Sequence, residues 1–153
     1  MKKNGIMTTL AAVAVMACAA SCTSTGQTAE NNKCNATEAV IENIMTRTSV
    51  RQFSDKAVTK DTLDLLLRAG MAAPTAVNKQ PWAYVAITER QILDSLDAAH
   101  PHAHLAGAPA AIVVCGDLER TLEGRAQEYW IQDCSASTEN ILLAAHAYGL
   151  GAV

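Results

Sequence analysis

The stretch that decides the fold is residues 73–82, which read APTAVNKQPW. It places two side-chain amides, Asn78 and Gln80, among small residues and prolines. Because an amide carries a hydrogen-bond donor and an acceptor together, either side chain could match the edge of a flat ring on which donors and acceptors alternate. The same composition also suits an ordinary loop that leads into a strand. The segment therefore indicates either a ring-binding loop or a plain connection.

The residues before this loop predict two helices. Asn35 followed by Glu38 resembles a capping box, and apolar residues then recur at helical spacing, which predicts a first helix. Thr59 or Asp61 can cap a second helix, which Pro74 stops. The apolar residues that define these helices are Val40, Ile41, Ile44 and Met45 in the first and Leu63, Leu66, Leu67 and Met71, on one face, in the second.

Downstream of the loop, the pattern predicts two strands separated by a helix. WAYVAIT at 82–88 is typical of a strand, and Arg90–Ala99 is typical of a third helix. AAIVVC at 110–115 predicts a buried strand in which Cys115 belongs to the core. The residues expected to point inward from the third helix are Ile92, Leu93 and Leu96. The predicted order is helix, helix, strand, helix, strand.

A long helix is predicted from about Glu128 to Tyr148. Gly149 and Gly151 follow it and are candidates for its C-terminal cap, because glycine adopts the left-handed conformation without a steric penalty. Residues 150–153 then begin to resemble the entry to another element. We therefore expect the domain at 36–153 to be a C-terminally truncated part of a larger fold with one hydrophobic core.

The first 22 residues follow the pattern of a bacterial export signal. Two lysines precede a mostly apolar run of about a dozen residues, which is shorter than the roughly 20 that a membrane span requires. A cysteine after small residues is typical of a lipoprotein signal, and Cys22 is favoured over Cys18 because residues 23–35 then form a polar tether. We expect an exported protein of the cell envelope, anchored to a membrane by lipid; a soluble exported protein is the alternative.

Composition excludes several classes of protein. The 153 residues carry 12 Lys and Arg against 15 Asp and Glu, a formal charge of -3, so the charge gives no reason to expect a nucleic-acid partner. Five cysteines, two of them in the predicted signal, do not make a disulfide framework. The sequence has no nucleophile elbow, GxGxxG or P-loop motif. An enzyme of this sequence would therefore rely on an added cofactor.

Three polar residues alternate within RTSVRQF at 47–53, a segment that reads as a loop or a short extended piece. If it is extended, the side chains of Arg47, Ser49 and Arg51 project to one side. Arginine offers a planar fork of donors that matches phosphate oxygens, and the serine hydroxyl adds a neutral hydrogen bond. The segment indicates either a phosphate site or a solvated pair of arginines.

The histidines give weak signals. His100, His102 and His104 alternate, which could suggest a metal site, but prolines and a glycine nearby favour a surface loop. His146 lies in an apolar helical stretch and is expected to be a core histidine with a hydrogen-bond partner. We therefore expect no metal ion.

Four blocks of this sequence together resemble the FMN-dependent nitroreductase family, in the family's order and at its approximate spacing. The blocks lie within Glu38–Val153 and are RTSVRQF at 47–53, APTAVNKQPW at 73–82, GAPAAIVVCGD at 107–117 and DCSASTENILLAAHAYGLGAV at 133–153. The resemblance implies an α+β fold with a central, mostly antiparallel sheet flanked by helices. It also implies an intertwined homodimer with two FMN sites at the subunit interface.

The resemblance assigns FMN binding to two segments. The residues expected at the phosphate and ribityl end are Arg47, Thr48, Ser49 and Arg51, with Arg51 also a candidate for the pyrimidine edge. The residues expected from the loop, whose first part would belong to the other subunit, are Pro74, Thr75, Ala76, Asn78 and Gln80. Asn78 is the best single candidate, and no side chain is named as a general acid or base.

The implied activity is hydride transfer from NADH, NADPH or another reduced donor, through the flavin, to a nitroaromatic, quinone or similar acceptor. In the family, the chain continues past the equivalent of Val153 with a strand, a segment that contacts flavin N5 and a late basic residue. We therefore expect an incomplete site in these 153 residues. The alternative is a non-catalytic exported remnant of the flavin family, or a binding protein.

Overall fold

A computed structural model describes residues 24–153, with side chains from Asn35 onward. The chain divides into two units, Met1–Glu42 and Asn43–Val153. Helix α1, Ser24–Thr46, begins well before Asn35, so the predicted capping box does not start it. No proline interrupts residues 24–35, and the predicted tether is helical from Ser24 onward. The signal, and with it Cys18 and Cys22, lies outside the described residues, and the proposed domain boundaries stay predictions.

The elements of the second unit follow the predicted order, with bounds within about two residues of those expected. They are α2 at Lys60–Met71, β1 at Trp82–Ile87, α3 at Arg90–Ala99, β2 at Ala111–Gly116 and α4 at Tyr129–Ala147, with short 3-10 turns between them. None of the helices within residues 24–153 is both long and apolar enough to cross a bilayer.

Helix α2 begins where its cap predicts. The Thr59 hydroxyl accepts a hydrogen bond from the backbone N–H of Thr62 at 3.2 Å, so Thr59 rather than Asp61 is the cap. Leu63 and Leu66 are buried, as expected from their shared face. Met71 is 47% exposed, because the helix ends there and the chain turns towards the loop.

Strands β1 and β2 form an antiparallel pair whose register runs from Trp82 opposite Gly116 to Ile87 opposite Ala111. One face of the pair packs on the core cluster of Leu66, Ile141 and Ala145, and the residues that contribute to this packing are Tyr84, Ile112 and Val114. On the other face, Val85 and Val113 are opposite each other and exposed. Because side chains alternate along a strand, Cys115 lies on that face and is exposed, so its prediction as core was wrong.

Helix α4 presents one buried stripe to the rest of the unit. Its buried residues include Asp133, Ser137, Ile141 and Ala145, which recur every four positions and therefore share a face. Ser137 is fully buried, and its hydroxyl lies 2.6 Å from the Tyr84 hydroxyl on β1. Asp133 and Ser137 make this stripe partly polar rather than wholly apolar.

The end of α4 turns the chain sharply. Gly149 has a φ of 70°, and its N–H donates to the His146 carbonyl at 2.9 Å. The Leu150 N–H donates to the Ala145 carbonyl, also at 2.9 Å. These two bonds form a Schellman motif. The motif needs one residue in the left-handed conformation, which glycine adopts most easily. The prediction of Gly149 as the cap is confirmed, and Gly151 has a different role.

After the turn, the chain pairs with residues 47–51, the arginine segment. Ser49 and Ala152 form an isolated parallel bridge, and the Val50 N–H donates to the Ala152 carbonyl at 3.0 Å. A Cβ on Gly151 would lie only 2.6 Å from a methyl group of Val50, so the pairing requires a glycine here. The sequence left residues 47–53 open between a loop and a short extended piece, and the bridge shows pairing at Ser49 alone. That residues 150–153 enter a further element stays a prediction.

Apolar residues of the described helices are not all buried. Val40, Ile41, Ile44 and Met45, which predicted the first helix, are exposed. In α3, Leu93 is buried as predicted, whereas Ile92 is exposed. The helical spacing therefore predicted these helices correctly, but it did not show which of their apolar residues are buried within the chain.

Candidate functional site

The amide loop, residues 73–82, has an unusual backbone. Ala76–Asn78 form a 3-10 turn in which Val77 has φ 43° and ψ 33°, and Asn78 has φ 58°. Gln80 is left-handed as well, with φ 50°. Asparagine tolerates this region, but for a β-branched valine it is a genuine outlier that surrounding structure must stabilise. Three left-handed residues in four positions cannot be read from a sequence that has no glycine there.

Hydrogen bonds close the amide loop on itself. The Asn78 N–H donates to the Thr75 carbonyl at 3.0 Å, and the Lys79 N–H donates to the Ala76 carbonyl at 3.1 Å. The Gln80 N–H donates to the Thr75 hydroxyl at 3.0 Å. Thr75 therefore serves the loop twice, through its carbonyl and through its side chain.

The two side-chain amides of the loop are joined to each other. The Gln80 amide donates to the Asn78 carbonyl oxygen at 3.0 Å. This bond uses one donor of Gln80 and one acceptor of Asn78, so the Asn78 amide hydrogens and the Gln80 carbonyl oxygen have no partner among residues 24–153. Asn78 is exposed and Gln80 is half-buried, so both groups can meet a ligand from outside the chain.

The arginine segment, residues 47–51, is held more loosely. The Arg47 side chain is 26% exposed and lies 3.8 Å from the Glu139 carboxylate on α4, which is too long for a hydrogen bond. Arg47 therefore keeps its donors available. Ser49 and Arg51 are exposed. Just before the segment, the Thr46 hydroxyl lies 2.9 Å from His146 Nε2, so His146 has a partner as predicted but is half-buried rather than core.

A cleft of about 70 Å³ lies beside Arg47. A cavity needs roughly 10–15 Å³ in this measure to hold one water, so the cleft admits a few waters or a small polar group. Its lining residues are Arg47, Thr48, Val50, Leu142, His146, Leu150 and Ala152. The space suits a small polar group beside a guanidinium and is far too small for a whole nucleotide.

The structure groups the predicted site residues into two sets. Arg47, Thr48, Ser49 and Arg51 follow one another in the arginine segment, and the predicted residues from Pro74 to Gln80 lie in the amide loop. No hydrogen bond or ion pair among residues 24–153 joins the two segments. Each contacts α4, the loop through Asp133 and the arginine segment through Glu139.

Asp133 is the residue that sequence reasoning missed. Its carboxylate accepts the Ala76 N–H at 2.9 Å, although Asp133 is only 7% exposed. The signal was present in the sequence, because an aspartate four residues before Ser137 and eight before Ile141 falls on the buried stripe of α4. The neighbouring Cys134 is also buried, and burial raises the pKa of its thiol, which donates to the Cys115 carbonyl at 3.6 Å.

The histidine segment forms a surface turn. His100, His102 and His104 are exposed, and His104 is left-handed with φ 54°. Within residues 24–153, no group of three or more His, Cys, Asp or Glu residues could hold a metal ion.

Comparison with known proteins gives the class of this chain. The profile described as "Nitroreductase family" matches residues 44–106, which include both the arginine segment and the amide loop. A protein of Methanothermobacter thermautotrophicus, provisionally named NADH dehydrogenase/NAD(P)H nitroreductase, is 43% identical over 115 residues. That match covers 74% of this chain and 59% of the relative.

Two solved structures share the fold. One, from Bacteroides thetaiotaomicron and carrying the same provisional name, is 47% identical with a TM-score of 0.67, and the match covers 74% of this chain and 64% of that one. The other, provisionally named a nitroreductase and solved in complex with FMN, comes from Desulfovibrio desulfuricans. It is 33% identical with a TM-score of 0.67, and the match covers 73% and 64% of the two chains.

The chain belongs to the nitroreductase family. The expected α+β fold with antiparallel strands flanked by helices is confirmed by these structures. The chain spans roughly three-fifths of the length of the relatives described above.

Proposed function

We propose that this protein is an FMN-dependent oxidoreductase that takes hydride from a reduced donor such as NADH or NADPH and passes it to a nitroaromatic, quinone or similar acceptor. The observation that carries the proposal is the amide loop, in which Asn78 and Gln80 keep donors and acceptors open while hydrogen bonds from the backbone close the loop on itself. A loop that serves only as a connection has no need of three left-handed residues.

The residues present fit the chemistry of FMN. A phosphate requires strong donors, and Arg47 and Arg51 offer guanidinium groups that no hydrogen bond within residues 24–153 occupies. A pyrimidine edge requires a donor beside an acceptor, which the joined amides of Asn78 and Gln80 supply. FMN, when bound, supplies the capacity to accept and release hydride.

The protein residues would orient the cofactor rather than react. Arg47, Thr48, Ser49 and Arg51 would hold the phosphate and ribityl end, and the small cleft beside Arg47 has room for part of a polar group. Pro74, Thr75 and Ala76 would bring backbone close to the ring, and Asn78 would fix the ring edge. We assign no general acid or base, since the hydride chemistry belongs to the cofactor.

We further propose that the functional protein is a homodimer in which each FMN meets the arginine segment of one subunit and the first part of the amide loop of the other. Two observations support this arrangement: within residues 24–153 no hydrogen bond or ion pair joins the two segments, and Val40, Ile41, Ile44 and Met45 are exposed. Large apolar residues exposed on one helix are typical of an interface. Export and lipid anchoring through Cys22, or through Cys18, remain part of this proposal.

Titration with FMN, followed by quenching of flavin fluorescence, tests the proposed site. We expect Arg51→Ala and Asn78→Ala each to raise the dissociation constant by about tenfold, because each removes a hydrogen bond to the ligand, which for Arg51 is charge-assisted. Arg68→Ala on α2 and Gln91→Ala on α3, which remove an exposed arginine and an exposed side-chain amide outside the proposed site, serve as controls. Unchanged FMN affinity in the first two variants would disprove the assignment.

A second assay separates an enzyme from a binding protein. Oxidation of NADH by the FMN-loaded protein, with a quinone or nitroaromatic as acceptor, is followed by absorbance. Turnover that depends on both NADH and the acceptor supports the oxidoreductase. Tight FMN binding without turnover would favour the non-catalytic alternative.

A further inference from the structure

Asp133 is a buried carboxylate that connects two distant parts of the chain. It lies in α4 and is 7% exposed, and its Oδ1 accepts the Ala76 N–H at 2.9 Å across 57 residues of sequence. A hydrogen bond between a carboxylate and a backbone N–H is charge-assisted, and such bonds are about twice as strong as neutral ones. Burying a charge is costly, so this position is expected to have a specific role.

The amide loop needs an external contact of this kind. Its internal hydrogen bonds, from Asn78, Lys79 and Gln80, close the loop, and at its C-terminal end the Pro81 carbonyl accepts the Asp117 N–H at 2.7 Å. None of these bonds fixes residues 75–80 against the rest of the unit. Among the hydrogen bonds of the described residues, the bond to Asp133 is the one that joins residues 75–80 to another element. Val77, next to Ala76, is 75% exposed and left-handed, so its own side chain gains little packing that could offset the strain.

We propose that Asp133 is a positioning residue, which holds the amide loop in the conformation that presents Asn78 and Gln80 to a ligand. The proposal rests on the function proposed above, in which that ligand is FMN. When the conformation that can bind is only partly populated, the apparent dissociation constant rises in proportion. Loss of the Asp133 bond should therefore weaken binding by about tenfold to a hundredfold, without removing any group that touches the ligand.

Two variants at this position separate the hydrogen bond from packing. Asp133→Asn keeps an acceptor oxygen at the same place and should stay within about threefold of the unmodified protein in FMN affinity. Asp133→Leu has a similar size but no acceptor, so it should show the full loss. A purely structural role would make both variants differ from the unmodified protein in melting temperature alone, with equal FMN affinity after folding.

Proteolysis measures how firmly the loop is held, and it needs no flavin. Trypsin can cut after Lys79 inside the loop, and the exposed Arg120 gives a reference site in the same molecule. We expect Asp133→Leu to raise the cutting rate at Lys79 relative to Arg120 by about tenfold or more, with Asp133→Asn close to the unmodified protein. Equal ratios in all three proteins would overturn the proposal, as would a loosened loop with unchanged FMN affinity.

Hydrogen exchange covers the case in which Asp133→Leu does not fold. In the unmodified protein, the Ala76 amide should exchange at least tenfold more slowly than in an unstructured peptide, because its N–H is hydrogen-bonded to the Asp133 carboxylate. An unprotected Ala76 amide would overturn the proposal. If no protein binds FMN, the proposed function fails, while the trypsin and exchange measurements still decide the role of Asp133.

Discussion

The amide loop and the arginine segment both contact α4, yet they are fixed to very different degrees. In the loop, the Ala76 N–H donates to the buried Asp133 carboxylate, and Thr75 accepts two further hydrogen bonds from the loop backbone. The arginine segment has one bridge to Ala152 and one ion pair at 3.8 Å. The loop is thus arranged before any ligand arrives, whereas no hydrogen bond within residues 24–153 holds the Arg47 or Arg51 guanidinium.

This difference suggests a division of tasks in ligand binding. A preorganised group loses little conformational freedom on binding, so the loop is suited to fixing the orientation of a ring. Long cationic side chains lose more, but they attract an anion over several ångströms in a manner that salt screens. We therefore expect mutations in the loop to act through geometry and mutations in the arginine segment to act through charge.

The largest effect is expected at Gly116, the last residue of β2, which lies opposite Trp82 at the end of the amide loop. A Cβ on Gly116 would lie 2.3 Å from the Trp130 ring, so Gly116→Ala must displace α4 or the strand and should lower the free energy of unfolding by about 3 kcal/mol. Urea denaturation measures it. Gly124→Ala, at a position with a φ of 64° and open space, should cost only about 1 kcal/mol, from backbone strain alone.

The matching change beside the arginine segment should be milder. Gly151→Ala meets a Val50 methyl at 2.6 Å, but this contact lies next to a single isolated bridge. If Gly151→Ala destabilised the protein as much as Gly116→Ala, the arginine segment would be held as firmly as the loop, and the contrast between them would be wrong.

Much of this architecture could be predicted from the sequence, for physical reasons that differ between elements. α3 was predicted with its observed bounds because its apolar spacing is regular. Gly149 was predicted as a candidate cap of α4 because glycine adopts the left-handed conformation that this helix end uses. The left-handed Val77 was not predictable, since it violates the local preference of valine and exists only through contacts made elsewhere. Asp133 was visible on the buried stripe, but its partner is 57 residues away.

A moderate effect is expected from the threonine that closes the loop. Thr75→Val removes the acceptor of the Gln80 N–H while keeping the side-chain shape, so it should cost about 1 kcal/mol of stability and increase tryptic cutting after Lys79. Thr75→Ser, which retains the hydroxyl, is the control. A loop that stays equally resistant in both variants would show that its internal bonds contribute little.

A pH-dependent effect of similar size is expected at Tyr84 on β1, whose hydroxyl meets Ser137 one turn along α4 from Asp133. Burial raises the pKa of Tyr84 above 10, partly opposed by its hydrogen bond to Ser137, so the folded state holds the phenol proton more tightly than the unfolded state. That contribution to stability is complete below pH 10 and is lost as the pH rises through the folded-state pKa.

Tyr84→Phe tests this sign. The variant should be less stable by about 1 kcal/mol at neutral pH, because the Ser137 hydroxyl loses its partner. The gap between the two proteins should narrow above pH 10, measured by urea denaturation at several pH values. A gap that widens with alkaline pH would contradict the assignment.

The smallest effect is expected at the ion pair of the arginine segment. Glu139→Gln should change the free energy of unfolding by less than about 0.5 kcal/mol, since the pair is long and Glu139 is 54% exposed. Removing the carboxylate should also strengthen FMN binding by about twofold, because Arg47 then faces no competing anion. Ser135→Ala, on the same helix, is the control. Weaker FMN binding in Glu139→Gln would mean that Glu139 positions Arg47 instead.

Helix α4 also sets the distance between the points at which the amide loop and the arginine segment contact it. Asp133 and Glu139 are six residues apart, so a rise of about 1.5 Å per residue separates the two attachment points by roughly 9 Å along the axis. Inserting a single residue between them would turn one attachment point by about 100° relative to the other. The length of this short helical interval is therefore under a constraint that substitutions do not reveal, and insertions or deletions there should be tolerated far less than in the turns on either side.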